Sequence, residues 1–189
     1  MTTLLQPSDI ALYTGVDVTI STCNFREIWN IEYREARKCI GFDLWEAMIA
    51  AKADYSAATS YVVGSYSEGD VVEFQGVYKR AKTDTSNPPT VKTDWENAPR
   101  FDEENTCASL YETIFCDFLG PYLANKVLGN KLPYIWRKIS DKGIVVYNGN
   151  EFKASDKEDF DRLISAIYRD ANIIWDNLKY FMQDYESNT

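Results

Sequence analysis

The side chains able to do chemistry in this sequence are carboxylates, thiols and aromatic rings, because the chain contains no histidine. Without imidazole, serine–histidine and cysteine–histidine catalysis, histidine-ligated zinc and imidazole acid–base work are excluded. Cys23, Cys39, Cys107 and Cys116 show no CxxC spacing and stand among apolar residues. They read as buried free thiols in a reducing compartment, with a disulfide between two of them as the alternative. Carboxylate pairs such as Asp159/Asp161 and Glu103/Glu104 fall at charge-rich helix starts, where they offset the helix dipole. Gly41, Gly64, Gly69 and Gly76 are isolated turn glycines and no GKS or GKT occurs, so there is no phosphate loop. Metal binding would need an all-oxygen site, and no EF-hand spacing is present. The sequence therefore predicts a protein that is not an enzyme, with no catalytic residue, metal or cofactor.

What remains is recognition through flat rings and apolar stripes. Aromatic residues make up 14% of the 189, with 13 Tyr, 9 Phe and 5 Trp. At 45% hydrophobic and 26% charged, the chain can build one domain plus a small insert. Lys and Arg number 20 against 29 Asp and Glu, a net charge of −9 that argues against tight binding of nucleic acid. The opening residues, MTTLLQPSDIALYTG, lack a basic start and a sustained apolar run, which predicts no signal peptide and folding in a cytoplasm. No stretch approaches the roughly 18 apolar residues of a membrane span.

The elements that must position these rings are mostly helices. Ser155 and Glu158 form a capping box, after which Phe160, Ile164, Ile167, Ala171, Ile174, Leu178, Phe181 and Tyr185 recur at spacings of four and three. This predicts a helix of about 30 residues with one buried face, widened by Leu163, Tyr168, Trp175 and Met182. The stripe is longer than a small domain covers, so Phe160, Ile164, Ile167, Ile174, Leu178 and Phe181 are the expected subunit interface. Nearer the front, a short helix is expected at Pro7–Tyr13, capped by Ser8 or Asp9. Asn24 with Glu27 opens another that stops near Gly41, and Asp43 with Glu46 opens a third. A helical pattern from about Glu103 to Leu128 should be divided at Gly120-Pro121 and ended by Gly129-Asn130, with one further turn at Leu132–Ile139.

Two segments follow a different grammar. Gly143–Lys153 alternates around Asn148-Gly149, a strong hairpin signal. Residues 55–101 turn to Ser, Thr, Val, Tyr and Pro. There Val71–Phe74 and Val77–Arg80 flank Gln75-Gly76 as a second hairpin. The fold class expected is mainly α: a discontinuous helical domain, 1–54 with 102–189, carrying an inserted β module at 55–101.

Within the insert, Tyr66, Gly69, Asp70, Val72, Gly76, Tyr78, Pro88 and Trp95 resemble the pattern of small chitin- and cellulose-binding-type carbohydrate-binding modules. That resemblance makes Tyr61 and Trp95 the candidates for stacking on a sugar ring. Tyr61 stands where such modules often carry Trp, and Glu96 where a second aromatic often stands. The alternative is that Tyr66, Tyr78 and Trp95 form the mini-core a fragment of this size needs.

The helical part resembles head–tail connector proteins of tailed bacteriophages, closest to the portal-adjacent ring proteins of crAss-like phages. Asp141-Lys142-Gly143-Ile144-Val145, Ser155, Glu158 and the C-terminal stripe carry this likeness. It implies a structural virion protein, assembled in a bacterial cytoplasm, that forms a ring of usually twelve copies under the portal. The implied partners are identical subunits, the portal, the next tail or ring protein, and DNA that slides past without being gripped. Residues Ser155 to Thr189 hold eight acids and four bases, net −4, suited to a wall that repels phosphate. The competing reading is a glycan-binding protein whose helices merely scaffold the β module.

Overall fold

Local signals start and stop the front helices. The computed structural model describes residues 3–15, 25–140, 145–148, 151–154 and 157–188. Helix α1 (Pro7–Thr14) begins with Pro at its first position, where no backbone donor is needed. Its N-cap is Gln6 rather than Ser8 or Asp9, and the Gln6 N–H donates to the Asp9 carboxylate at 2.7 Å. Helix α2 (Phe25–Ile40) ends at Gly41, whose φ of 79° suits a left-handed cap. Asn24, its expected opener, lies outside the described residues. Helix α3 (Phe42–Ala50) starts one residue before Asp43, which sits inside the first turn.

The expected 103–128 helix begins later, as α4 (Ala108–Thr113), and runs into a π-helical turn, Ile114–Leu119. The Gly120 N–H reaches back five residues to the Phe115 carbonyl. This wider turn leaves Pro121 at the start of α5 (Gly120–Ser140), where its missing donor does no harm. Gly129-Asn130 does not end α5, which continues through Pro133 to Ser140 and absorbs the separate turn expected at Leu132–Ile139. Gly129 is there for packing: a Cβ would sit 3.0 Å from the Tyr168 ring. The Asn130 amide donates to the Lys126 carbonyl at 2.8 Å, within the helix.

The predicted hairpin is present as β5 (Val145–Asn148) and β6 (Glu151–Ala154), paired antiparallel with Asn148 opposite Glu151. Its Gly149 turn, Asp141–Ile144 and the Ser155 cap lie outside the described residues. Helix α6 (Lys157–Asn188) then runs for 32 residues. The fold is mainly helical with a small four-stranded sheet. Among the described residues no helix is long and apolar enough to cross a membrane.

The chain divides into two compact units, Met1–Ile49 with Thr113–Thr189, and Ala50–Glu112. In the helical unit α5 is central and packs on α1, α2 and α6. Leu4, Ile28, Phe115, Leu123, Val127 and Leu178 are buried there almost completely. Gly120 has no room for a side chain, because a Cβ would lie 2.8 Å from the Tyr13 ring and 2.9 Å from the Phe115 carbonyl oxygen. A backbone carbonyl in a helix cannot swing aside. Gly120→Ala is therefore expected to destabilise this unit by about 1–3 kcal/mol, read from the midpoint of urea unfolding. A neutral result would contradict the packing described.

The second unit holds strands β1 (Thr59–Ser60), β2 (Val71–Phe74), β3 (Val77–Ala81) and β4 (Trp95–Asn97), in that order across the sheet. β1 is parallel to β2 and the other pairs are antiparallel. The β2–β3 turn has positive φ at both central residues, 53° at Gln75 and 77° at Gly76, which matches the twist of a two-residue hairpin. The module extends beyond 55–101 at both ends. Lys52 pairs with Phe101, the Asp102 N–H donates to the Ala51 carbonyl at 2.8 Å, and Glu112 accepts the N–H of Phe101 at 3.1 Å.

Candidate functional site

The long C-terminal helix carries two apolar strips, and the structure treats them differently. Of the expected interface, Ile167 and Leu178 are 8% and 1% exposed, and Ala171 between them is fully buried. α5 and the π-helical turn cover them, with the Phe118 and Phe181 rings 5.1 Å apart. Ile167 and Leu178 are thus core residues of their own subunit, which corrects their assignment to a subunit interface. Phe160, Ile164, Ile174 and Phe181 are half-buried along the same stripe.

Shifting that stripe by one residue turns it about 100° around the helix. The shifted positions are Leu163, Ala166, Asp170, Ile173, Asn177, Tyr180 and Asp184. Here Leu163, Ile173 and Tyr180 are 49%, 54% and 68% exposed. Asp170 and Asn177 are exposed between them and Asp184 beyond Tyr180, so the strip alternates apolar contact with hydrogen-bonding groups. Sequence reasoning missed it because the polar residues interrupt the apolar count, although the four-three spacing is present.

The β module does not present the rings expected to stack on sugar. Trp95 is 3% exposed, its indole N–H donates to the Asn87 carbonyl at 2.9 Å, and the Tyr66 ring meets it edge-on at 5.3 Å. Tyr61 is half-buried, stacked on Tyr66 at 5.6 Å and edge-on to Phe74 at 5.7 Å. Both rings pack with Val72 and Ala81 as the module's core. The stacking role of Trp95 is corrected by this burial, since an enclosed ring cannot meet a saccharide, and Tyr61 lends one face to Tyr66. Tyr78 is not part of that core. It is 40% exposed on the other face of β3, against Tyr55 at 5.2 Å. Asp94 holds the loop before Trp95 by accepting from Asn87, Thr93 and Thr85, and those hydrogen bonds lower its pKa.

The carboxylates of this protein act as clamps. Glu32 on α2 is 1% exposed and accepts the backbone N–H groups of Leu4 and Leu5 at 3.0 Å and the Trp45 indole N–H at 3.1 Å. Glu35, one turn on, accepts from Arg34 at 2.7 Å and from the Tyr122 hydroxyl at 3.1 Å. Burial pushes the Glu35 pKa up, but the Arg34 and Tyr122 hydrogen bonds and the Lys38 charge outweigh it and leave it lowered. Neither residue was legible as functional, yet both recur with Ile28 and Ala36 on the core-facing side of α2. Glu103 and Glu104 precede α4 in a turn rather than starting a helix, and Glu103 pairs with Arg80. Asp159 lies in the first turn of α6, as expected, 3.8 Å from Arg162. Among the described residues no group of three or more Cys, Asp or Glu could hold a metal ion.

Cys39 and Cys107 are half-buried free thiols, and Cys23 lies outside the described residues. Cys116 is exposed, which corrects its reading as a buried thiol. Burial pushes the Cys39 thiol up to about 12, with Tyr122 hydrogen bonding working against the rise. At pH 8 only about one molecule in 10⁴ then carries the reactive thiolate there. Cys39 is expected to resist iodoacetamide in the folded chain at pH 8 and to react on unfolding. Peptide mass spectrometry reads this, and rapid native labelling would contradict it.

A basic and aromatic groove lies on the outward side of α2 and the start of α3, lined by Tyr33, Arg34, Arg37, Lys38 and Phe42. It is a local positive spot on a chain of net charge −9.

No curated protein and no solved structure matches the chain. One family model does, described as a family of unknown function (DUF6712), over residues 87–188. The match covers just over half of the chain, from the loop before Trp95 through α5 to α6 with both of its strips. The protein therefore belongs to this family of unknown function (DUF6712).

Proposed function

We propose that this protein is a structural subunit of a tailed-bacteriophage particle, an adaptor whose copies form a ring beneath the portal. The ring extends the DNA channel and joins capsid to tail. The observation that carries this reading is the outer strip of α6. A helix of 32 residues already anchored along one stripe also offers Leu163, Ile173 and Tyr180 to the outside at heptad-like spacing. Apolar groups repeated along a rigid, well-packed helix are the form a subunit contact takes. The likeness of the helical part to head–tail connectors supplies the place, and the acidic balance suits a wall past which DNA slides.

Ile173 and Tyr180 lie outside the core, so changing them tests association without unfolding the chain. The double variant Ile173→Asp with Tyr180→Asp is expected to keep its circular dichroism spectrum and to weaken self-association by roughly tenfold or more. Sedimentation velocity over a concentration series, with and without portal, reads the effect. Unchanged association and unchanged portal occupancy would reject the reading. Ile167→Asp cannot serve this purpose, because it buries a charge in the subunit's own core.

A further inference from the structure

The outer strip of α6 needs a receiving surface, and the groove around Arg37 has the matching chemistry. The Arg37 guanidinium carbon lies 4.4 Å from the centroids of both the Tyr33 and the Phe42 rings. With aromatic rings against it on two sides, the cation is held in place and its N–H edge is left for a partner. The site is built from the core outward. Trp29 stacks on Tyr33 at 4.9 Å, and Tyr33 meets the edge of Trp45 at 5.5 Å, whose indole is fixed by buried Glu32. Arg34 and Lys38 lie against Glu35, at 2.7 and 3.8 Å. Among the described residues no carboxylate lies against Arg37. Phe42, 40% exposed, adds an apolar rim.

We infer that this groove receives the outer strip of α6 from a second copy of the chain, with Asp170 meeting Arg37 and Ile173, about one turn on, meeting Phe42. The inference rests on the self-assembly reading above and names its contact. Charge complementarity selects the occupant: the strip supplies Asp170, an exposed acid 3.6 Å from Arg169, beside exposed Ile173, and the groove supplies a guanidinium edge beside an exposed ring. A carboxylate offers the guanidinium a two-point hydrogen-bonding partner. A nucleic-acid phosphate is disfavoured, because the groove has only three cations on a chain with 29 acidic and 20 basic residues in all. Groove and strip are different surfaces of one subunit, so a copy that gives one and receives the other propagates head-to-tail to a closed ring or an open filament, whereas reciprocal pairing would stop at a two-fold dimer.

The experiment uses full-length protein and sedimentation velocity, with circular dichroism melts to confirm folding. Arg37→Glu, and separately Asp170→Arg, are each expected to weaken self-association by about tenfold or more. Combining the two substitutions recreates the pair with charges exchanged and is expected to restore association to within a few-fold. Arg37→Lys keeps the charge but not the flat edge and is expected to fall between Arg37→Glu and the unaltered chain. If Arg37→Glu does not fold, Arg37→Gln and Asp170→Arg carry the test. Should Arg37→Glu leave association unchanged while Ile173→Asp with Tyr180→Asp abolishes it, the groove is not the receiver and self-assembly stands. Should the unaltered chain never associate, the self-assembly reading itself falls. Should fluorescence anisotropy show that Arg37→Glu removes duplex DNA binding without affecting association, the groove reads phosphate and the inference is overturned.

Discussion

Replacing Glu32 by alanine is expected to destabilise the helical unit by about 3–5 kcal/mol, enough to unfold a marginal chain. Three buried donors converge on its carboxylate: the N–H groups of Leu4 and Leu5, and the Trp45 indole N–H. Leu4, Leu5 and Glu32 itself are almost wholly excluded from solvent, so water cannot replace the lost acceptor. The truncation also leaves a cavity beneath α2. Glu32→Gln keeps the shape and one acceptor oxygen but loses the charge, and is expected to cost about half as much. Urea unfolding followed by circular dichroism checks both. A change below about 1 kcal/mol for Glu32→Ala would show that the N-terminal segment is not held by this clamp. Because Trp45 edges Tyr33 beneath the Arg37 groove, the same variant is also expected to loosen that groove.

Trp95→Ala is expected to destabilise the β module by about 3–5 kcal/mol, the range for removing a buried aromatic ring. Trp95 with Val72 and Ala81 is the buried core of this small sheet, and Tyr61 and Tyr66 pack against it. A unit running only from Ala50 to Glu112 is small, so the loss of one large core ring removes much of what holds its sheet together. Hydrogen–deuterium exchange should show the amides of β2, β3 and β4 losing protection while those of α5 and α6 keep theirs. The glycan-binding account expects the reverse, a module that stays protected and loses only sugar retention. That reverse outcome would mean Trp95 faces outward.

Elements whose signals are local were legible in the sequence. Gly41 ends α2 with a left-handed residue, and Gln75-Gly76 makes the β2–β3 hairpin, because both are decided by the backbone of a few neighbours. Gly129-Asn130 and Gly120-Pro121 misled or only half-informed the reading because their role is tertiary. Gly129 makes room for Tyr168, and Gly120 for Tyr13 beside a π-helical turn. The inner stripe of α6 is a buried face at Ile167, Ala171 and Leu178, but Leu163 and Tyr185, expected on it, are 49% and 43% exposed, and periodicity cannot say whose surface buries the rest. The chain's own α5 does so at Ile167 and Leu178. Trp95 shows the same limit, since an aromatic ring at a strand start fits a core and a binding face equally well. Glu32 was hidden by distance: its donors in Leu4 and Leu5 lie 28 and 27 residues earlier. The only sequence trace is a carboxylate at a helix position that otherwise faces inward with Ile28 and Ala36.

The central claim is that the outward row of apolar residues on α6 is covered by another molecule of the same protein. Native mass spectrometry of the unaltered chain tests it most directly. The account predicts one closed multimer that persists on dilution and disappears in the Ile173→Asp, Tyr180→Asp variant. A chain that stays monomeric at every concentration, alone and with portal, would contradict it.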